Sequence, residues 1–396
     1  MSSELSVTIE KEIPIKLVEE LSNRLYFINS DLADITIDDQ TVSAIWNGKD
    51  NAIEDVKLKI NEYIVDFLEK MVAVPEDVIL DRSDIKCGCS HDPTPILLES
   101  GELTKELDGV YALGPIISKL WQVFETHLDT IIKEFDMDRY EFPSLINPNT
   151  LERTGYLIGY PHNIGFVSHL DENMESIRKY TQNYKDNKGT ALTSQKDSQM
   201  QTKAILSPAV CYHFYPLLEN KTLPAKGVWG TARSKCFRYE SKAMNSLARL
   251  WDFTMREFIF VGSEEVLEQH RQTFLNEKLP NWLDDLGLNY ILSTANDAFF
   301  STEENSKRAF QLAFKLKYEA RCLLPFSDKR LACASINYHQ EHFSSVYNIK
   351  IEGSDELAHT FCFGVGMERL AFAFLAQHGT DIEKWPVKIR EQYLQC

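Results

Sequence analysis

The sequence Cys362-Phe363-Gly364-Val365-Gly366-Met367-Glu368-Arg369-Leu370, near the end of the 396-residue chain, decides which fold we predict. A thiol precedes a Gly-x-Gly, at which a backbone can approach a ligand closely and open a helix. Arg369 then falls on the first turn of that helix, where its guanidinium can reach a phosphate. A Gly-x-Gly alone also fits a helix packed closely on a strand.

A second stretch lies upstream. Phe237-Arg238-Tyr239-Glu240, followed by Arg249 through Phe253 to Glu257, predicts a strand, a loop and a return strand. Arg238 and Glu240 alone also fit an ion pair on one strand face. Together with Arg369, the two stretches resemble motifs 2 and 3 of class II aminoacyl-tRNA synthetases, the seryl type most closely.

A third element precedes both. From Pro115 the apolar spacing predicts a helix to about Phe135, and a strand follows that stops at Pro143. This order resembles motif 1, which forms the dimer interface in class II synthetases. The resemblance implies a homodimer. It also implies an α+β fold, with a class II synthetase-type antiparallel sheet flanked by helices and a small N-terminal α+β domain.

The resemblance implies a role for each residue of these motifs. Arg238 and Arg369 are the catalytic arginines: Arg238 contacts the α-phosphate and the attacking carboxylate, and Arg369 covers the adenine and the γ-phosphate. The remaining ATP contacts are Glu240 on the adenine amino group, Phe253 beneath the adenine, Arg249 near the γ-phosphate, and Gly366. Asn337 and His339 fit the strand beside the substrate.

Cys211, Glu257 and Cys362 form a predicted metal site. Nothing local marks these three residues as ligands, because 46 and 105 residues separate them, and a free cysteine is often a small buried hydrophobe. Archaeal-type seryl-tRNA synthetases, and their truncated relatives the amino acid:[carrier protein] ligases, bind catalytic Zn²⁺ through a Cys, a Glu and a Cys. Those ligands lie on the strand before motif 2, on the strand that ends it, and just before motif 3, and the three residues here match. Cys236 and Cys333 do not match, and we expect them in the core.

One position departs from the family pattern. Seryl-tRNA synthetases place a Glu six residues before the Asn as an ATP·Mg²⁺ ligand, and here that position is Leu331. Either Mg²⁺ is held differently, by Glu319 and Ser335, or ATP use is impaired.

Three regions follow from composition and pattern. Residues 1–80 predict a small acidic α+β domain, residues 81–110 a connector, and residues 111–396 the catalytic domain. Residues 171–202 are polar without sustained periodicity, which predicts a mobile insertion. We also expect an apolar strand over Leu206–Pro216. In the connector, Cys87, Cys89 and His91 are spaced too tightly for the usual zinc site.

Charge and hydropathy exclude several classes of protein. The net charge is −17, and residues 1–80 carry 7 Lys and Arg against 17 Asp and Glu, a balance of −10. This argues against a large nucleic-acid footprint, so tRNA is an unfavoured partner. The chain has no run of 18 apolar residues and no signal peptide at its N-terminus, so we expect no membrane contact. Eight cysteines without dense spacing favour a reducing cytoplasm.

These observations predict an enzyme of the carrier-protein ligase type. It would activate a small amino acid with ATP, using Zn²⁺ and Mg²⁺, and pass it to the phosphopantetheine thiol of an acyl or peptidyl carrier protein. Two alternatives stay open. One is an atypical seryl-type aminoacyl-tRNA synthetase, and the other is a non-catalytic paralogue, which Leu331 favours.

Overall fold

The computed structural model describes residues 3–70, 75–186, 200–241, 244, 246–297, 310–354 and 356–396. The strands are β1 (Ser3–Thr8), β2 (Leu32–Asp38), β3 (Thr41–Trp46), β4 (Val78–Asp81), β5 (Leu103–Leu107), β6 (Val110–Leu113), β7 (Asp138–Arg139), β8 (Leu145–Ile146), β9 (Phe166–Leu170), β10 (Met200–Leu206), β11 (Thr222–Leu223), β12 (Val228–Phe237), β13 (Asp252–Gly262), β14 (Tyr290–Thr294), β15 (Lys317–Leu324), β16 (Lys329–Gln340), β17 (Lys350–Ile351) and β18 (His359–Gly366). The helices are α1 (Ile15–Leu25), α2 (Ile53–Lys70), α3 (Pro93–Glu99), α4 (Pro115–Glu134), α5 (Pro148–Arg153), α6 (Tyr156–Gly159), α7 (Met174–Asp186), α8 (Glu264–Thr273), α9 (Leu279–Asp285), α10 (His342–Tyr347), α11 (Met367–His378) and α12 (Val387–Gln395).

The N-terminal 70 residues fold around a hydrophobic core of their own. Strands β1, β3 and β2 form an antiparallel sheet in that order, and α1 and α2 pack against it. Helix α2 buries Val56, Ile60, Ile64 and Phe67, whose spacing of three or four residues places them on one face. The predicted α+β character of this region is therefore confirmed.

An eight-stranded sheet, in the order β4-β14-β15-β16-β18-β13-β12-β7, dominates the rest of the chain. Every neighbouring pair is antiparallel except β12 and β7. Helices α4, α9, α11 and α12 pack with one face of this sheet in the largest core. The predicted antiparallel sheet flanked by helices is confirmed.

Alternation along the central strands separates the two faces of this sheet. Phe361, Phe363 and Val365 of β18 point into the helix-covered core, where Phe361 stacks on Phe260 of β13. The residues between them, Cys362 and Gly364, face the other side, because successive side chains of a strand point to opposite faces. The second face of the sheet is therefore left for a cavity.

A π-helical turn, Phe274–Lys278, connects α8 to α9. Pro280 in α9 has no N–H to donate to the carbonyl of the preceding turn, which disfavours regular α-helical hydrogen bonding there. The turn leaves Phe274 buried against Phe361 and Phe363.

Among the described residues, we find no helix that is both long and apolar enough to cross a membrane.

The expected strand over Leu206–Pro216 is wrong. Strand β10 ends at Leu206, and the chain then forms two 3₁₀ turns, Cys211–His213 and Tyr215–Leu218. Two prolines in this stretch cannot donate to a sheet ladder. The backbone N–H groups of Val210 and Cys211 donate instead to the carboxylate of Glu257, at 3.3 and 3.0 Å.

Two predicted boundaries also differ from the structure. Strand β4, residues 78–81, pairs with β14 at the edge of the large sheet, so a boundary at residue 80 falls inside a strand of that sheet. In the predicted insertion 171–202, residues 174–186 form α7. Its first turn is capped by Asn173, whose side-chain oxygen accepts a hydrogen bond from Ser176 N–H at 2.8 Å. Residues 187–199 lie outside the described residues.

The strand after α4 is shorter than predicted. Only Asp138 and Arg139 form β7, beside β12, and Tyr140 adds one hydrogen bond to Thr231 at 2.8 Å. The connector 81–110 contains α3 and the hairpin of β5 and β6. At the tip of that hairpin, the Gly109 carbonyl accepts from Trp251 N–H at 2.9 Å, next to the start of β13.

Candidate active site

A single cavity of about 1520 Å³ lies on the open face of the large sheet. All thirteen residues that the sequence analysis named as site residues line it: Cys211, Arg238, Glu240, Arg249, Phe253, Glu257, Glu319, Ser335, Asn337, His339, Cys362, Gly366 and Arg369. The fold therefore brings together residues that are up to 158 positions apart in sequence.

The two glycines of β18 leave space at the floor of this cavity, because they have no side chains. A Cβ at Gly364 would lie 3.3 Å from Met255 Cε and 3.6 Å from Glu257 Cγ, so a side chain here would fill the space beside that carboxylate. Gly366 is the N-cap residue of α11, and Arg369 follows on the first turn of that helix. The predicted Gly-x-Gly geometry, a strand that leads into a helix, is confirmed.

At one end of the floor, Cys211, Glu257 and Cys362 meet. Their ligand atoms all lie within 4.8 Å of one another, and the three side chains are buried. In the part of the chain that the structure describes, this is the only such group of three or more His, Cys, Asp or Glu ligands, so Cys87, Cys89 and His91 do not form one. Two thiols and a carboxylate are a donor set that suits zinc.

Electrostatics in this group reflect its burial. Burial, and then the neighbouring Cys362, raise the pKa of Glu257 to about 7. The pKa of Cys362 is held well below the usual thiol value, chiefly because the Cys211 thiol faces it. The pKa of Cys211 is raised well above the usual thiol value, chiefly because its thiol faces Cys362, so the three groups cannot all be ionised together unless a bound cation compensates their charge.

Two further side chains contact Cys362. The amide nitrogen of Asn337 lies 3.6 Å from its sulfur and donates to Ser335 Oγ at 3.1 Å. His339 Nε2 lies 3.9 Å from the same sulfur. His339 falls where the register between β16 and β18 shifts, and a bulge of this kind re-aims a side chain toward a site.

The cationic end of the cavity contains Arg238, Glu240, Arg249, Phe253 and Arg369. The guanidinium of Arg238 lies 5.4 Å from the Phe253 ring centroid, and its Nε donates to the Pro208 carbonyl at 3.0 Å. Arg369 Nε donates to the Ala248 carbonyl at 2.8 Å. Both arginines are therefore held by backbone oxygens.

Glu240 forms its ion pair with Arg249, across the loop between β12 and β13, and not with Arg238. Burial alone would raise the pKa of Glu240, but Arg249, Arg369 and Arg238 hold it below the usual value. The carboxylate is thus ionised and available to accept a hydrogen bond at neutral pH.

Glu319 belongs to a row of charges on β15, and its charged neighbours Lys317 and Arg321 were missed in the sequence analysis. Glu319 forms ion pairs with Lys317 and Arg321, each at 3.1 Å, and Lys317 also reaches Asp297 at 2.7 Å. The alternation Lys317-x-Glu319-x-Arg321 is the signal that would have found it, because residues two apart share a strand face. Leu331 packs into the main core, while its neighbours Arg330 and Ala332 line the cavity.

Comparison with known proteins agrees with this geometry. The family model described as "tRNA synthetase class II core domain (G, H, P, S and T)" matches residues 194–378. The chain is 32% identical over 289 residues to amino acid–[acyl-carrier-protein] ligase 1 of Bradyrhizobium diazoefficiens. The aligned region covers 72% of this chain and 84% of the relative. It is 33% identical to ligase 2 of the same organism, over 65% of this chain and 75% of the relative.

More distant similarities extend over more of the chain. The type-2 serine–tRNA ligase of Methanocaldococcus jannaschii is 26% identical over 87% of this chain and 67% of that enzyme. Among solved structures, M. kandleri SerRS in complex with A. aeolicus tRNASec superposes with a TM-score of 0.74 at 20% identity, over 100% of this chain and 78% of that chain. The last similarity concerns the fold alone. The sequence match to both B. diazoefficiens ligases places this chain in the amino acid–[acyl-carrier-protein] ligase family, whose catalytic core is that of the class II tRNA synthetases.

Proposed function

We propose that the protein activates a small amino acid with ATP and transfers it to the phosphopantetheine thiol of a carrier protein. One observation carries the proposal: a buried Cys-Glu-Cys group and two half-buried arginines, Arg238 and Arg369, line the same cavity. Cys362 and Gly366 are four residues apart on an extended strand, which corresponds to about 13 Å. This spacing lets one extended ligand reach from the Cys-Glu-Cys group to the start of α11.

In the first step, an oxygen of the amino acid carboxylate attacks the α-phosphorus of ATP. A P–O bond forms, the bond to pyrophosphate breaks, and the aminoacyl-adenylate remains. Arg238, held by Pro208 and lying over Phe253, is preorganised to neutralise charge that develops on the α-phosphate. Arg369 and Arg249 would contact the outer phosphates of ATP. Glu240 and Phe253 would contact the adenine. Gly366, which has no side chain, would let ATP approach the backbone closely.

In the second step, the pantetheine sulfur attacks the carbonyl carbon of the adenylate. A C–S bond forms, the C–O bond to AMP breaks, and the thiol proton passes to solvent. Because one cavity holds both reactants, this attack is effectively unimolecular, which increases its rate.

The residues present fit a zinc ion. Cys211, Glu257 and Cys362 would hold it, and bound zinc would supply an electrophilic fourth position for the free amine of the amino acid. Asn337 and His339 would orient the Cys362 sulfur, and they lie where the amino acid would bind.

We propose a reducing cytoplasm as the setting, because Cys211 and Cys362 must remain thiolates to hold a metal.

Magnesium fits this arrangement less well. Glu319 and Ser335 face each other across β15 and β16, as a shared Mg²⁺ site requires. Both carboxylate oxygens of Glu319 are engaged, one by Lys317 and one by Arg321. The binding of Mg²⁺ by Glu319 and Ser335 therefore stays a prediction.

We place carrier docking on and near α7. Met174 and Ile177 are exposed apolar residues on this helix, whose three basic residues outnumber its two acidic ones and give it a balance of +1. An acidic carrier protein would complement this surface, whereas the N-terminal region, with its balance of −10, would repel both a carrier and a tRNA.

We also propose that this N-terminal region is a separate domain, because it has its own core.

Removing either catalytic arginine should abolish adenylation. Arg238→Ala and Arg369→Ala each lose a preorganised charge contact, and we expect amino-acid-dependent ATP–pyrophosphate exchange to fall by about 10²–10³. Arg233→Ala is the matched control, because Arg233 lies on β12 but does not line the cavity. Near-native exchange in either test variant, with normal exchange in the control, would contradict the assignment.

Zinc content should depend on the two cysteines. The purified protein should contain about one zinc per subunit, and Cys211→Ser and Cys362→Ser should each lose most of it, because a thiolate ligand is removed. Cys236→Ser, which changes an equally buried thiol outside the group, should retain the metal. Equal zinc in all four proteins, measured by elemental analysis, would refute the site.

The chain should form a homodimer. The apolar stripe of α4 is buried in the subunit's own core, so the interface would use the outer side of α4 and the edge strand β7. Sedimentation at micromolar concentration should give twice the 45.6 kDa subunit mass. A monomer under these conditions would overturn the dimer proposal.

The acceptor should be a carrier thiol. With labelled amino acid and ATP, we expect label on a pantetheinylated carrier, as a thioester that hydroxylamine releases, and none on total tRNA. The apo carrier, which lacks the thiol, is the control. Label on tRNA with none on a set of pantetheinylated carriers would favour the synthetase alternative.

A further inference from the structure

The catalytic cavity extends beyond the adenylation residues to the N-terminal region. Its volume of about 1520 Å³ exceeds the roughly 300–1,000 Å³ typical of a small-molecule pocket. The additional lining comes from α1 and the residues around it, and from residues 155–163 of the catalytic region. We call these two segments together the α1 wall. Its lining residues are Pro14, Leu17, Asn23, Phe27, Tyr156 and Asn163.

A ring contact joins the two halves of the α1 wall. Phe27, just after α1, meets His162 edge to face at 5.3 Å between ring centroids. Gly155, in the second segment of the wall, also lines the cavity, and an added Cβ there would meet nothing within 4 Å. The wall therefore borders open space that continues into the site.

The charges on the α1 wall cancel one another. Arg24 lies in the last turn of α1 and pairs with Glu20 at 2.7 Å. It also donates to Tyr63 Oη at 3.3 Å, and its guanidinium lies 5.2 Å from the Phe67 ring centroid. The surface offered to a ligand is thus neutral, made of apolar side chains and neutral polar groups.

A buried polar group on the α1 wall lacks a partner. The amide oxygen of Asn163 makes no hydrogen bond within the described part of the chain, although this residue is only 8% exposed. Burying such a group unpaired is costly, so the arrangement is typical of a binding site. Burial raises the pKa of Tyr156 to about 12, against the opposing effects of the Arg238 charge and of a hydrogen bond from the Asn163 side chain.

We propose that the α1 wall binds the pantetheine arm of the acceptor. Asn23, Tyr156 and Asn163 would hydrogen-bond its amide groups, and Leu17 and Phe27 would contact its aliphatic carbons. The arm is neutral and alternates amides with short aliphatic segments, which matches the neutral, mixed lining. The pantetheine part of the arm carries no charge, whereas a tRNA end would bring several phosphates against this neutral lining. This inference rests on the proposed function and gives the N-terminal region a part in the second step alone.

The test uses the full-length protein and free pantetheine, which carries the arm without a carrier protein. Asn23→Ala and Asn163→Ala should each raise the KM for pantetheine roughly three- to tenfold, the effect of losing one neutral hydrogen bond. Pyrophosphate exchange should not change. Asn61→Ala on α2 is the matched control, because this residue lies outside the cavity.

Each outcome is informative because exchange and transfer are measured separately. Asn23→Ala places a better helix former in α1, so loss of folding is not expected to mask its effect. An unchanged KM for pantetheine in both folded variants would overturn the proposal. So would a rise in the KM for ATP during exchange, which would assign the wall to the nucleotide. Absence of exchange in the unmodified protein would instead contradict the proposed function itself.

Discussion

The pleat of β18 is the constraint on which the site depends. Three large residues, Phe361, Phe363 and Val365, are buried in the main core, and burial of each such side chain contributes about 1.5–3 kcal/mol. Slipping the strand by one residue would exchange its two faces and move these side chains into the cavity. The same register therefore holds Cys362, Gly364 and Gly366 on the cavity face.

A second interaction adds the residue that the sheet cannot supply. Cys211 belongs to a 3₁₀ turn, and the carboxylate of Glu257 holds that turn by accepting the N–H groups of Val210 and Cys211. Glu257 thus has two functions in the structure. It positions the backbone that carries one thiol, and it offers an oxygen beside both thiols.

The sequence predicted much of this site, because motif residues lie at the ends of strong elements. Arg238 follows β12, and Arg369 lies on the first turn of α11, so their positions depend on local patterns. The turn at Cys211 was predicted as a strand, because its apolar residues do not reveal that a distant carboxylate binds the backbone. Helix α7 was missed because its apolar stripe is exposed and weak. The ion pairs of Glu319 and the lining of the cavity by α1 could not be predicted, because both depend on tertiary contacts.

The central claim is that one ligand lies along the sheet, with its amine at the Cys-Glu-Cys group and its adenine between Phe253 and Arg369. The most direct measurement is a crystal structure with a non-hydrolysable aminoacyl-adenylate analogue, with anomalous data collected at the zinc edge. The account predicts an anomalous peak bounded by Cys211, Glu257 and Cys362, with the ligand amine facing it and Arg238 at the phosphate mimic. A ligand bound in the reverse direction, or an amine held elsewhere with no peak at these residues, would contradict it.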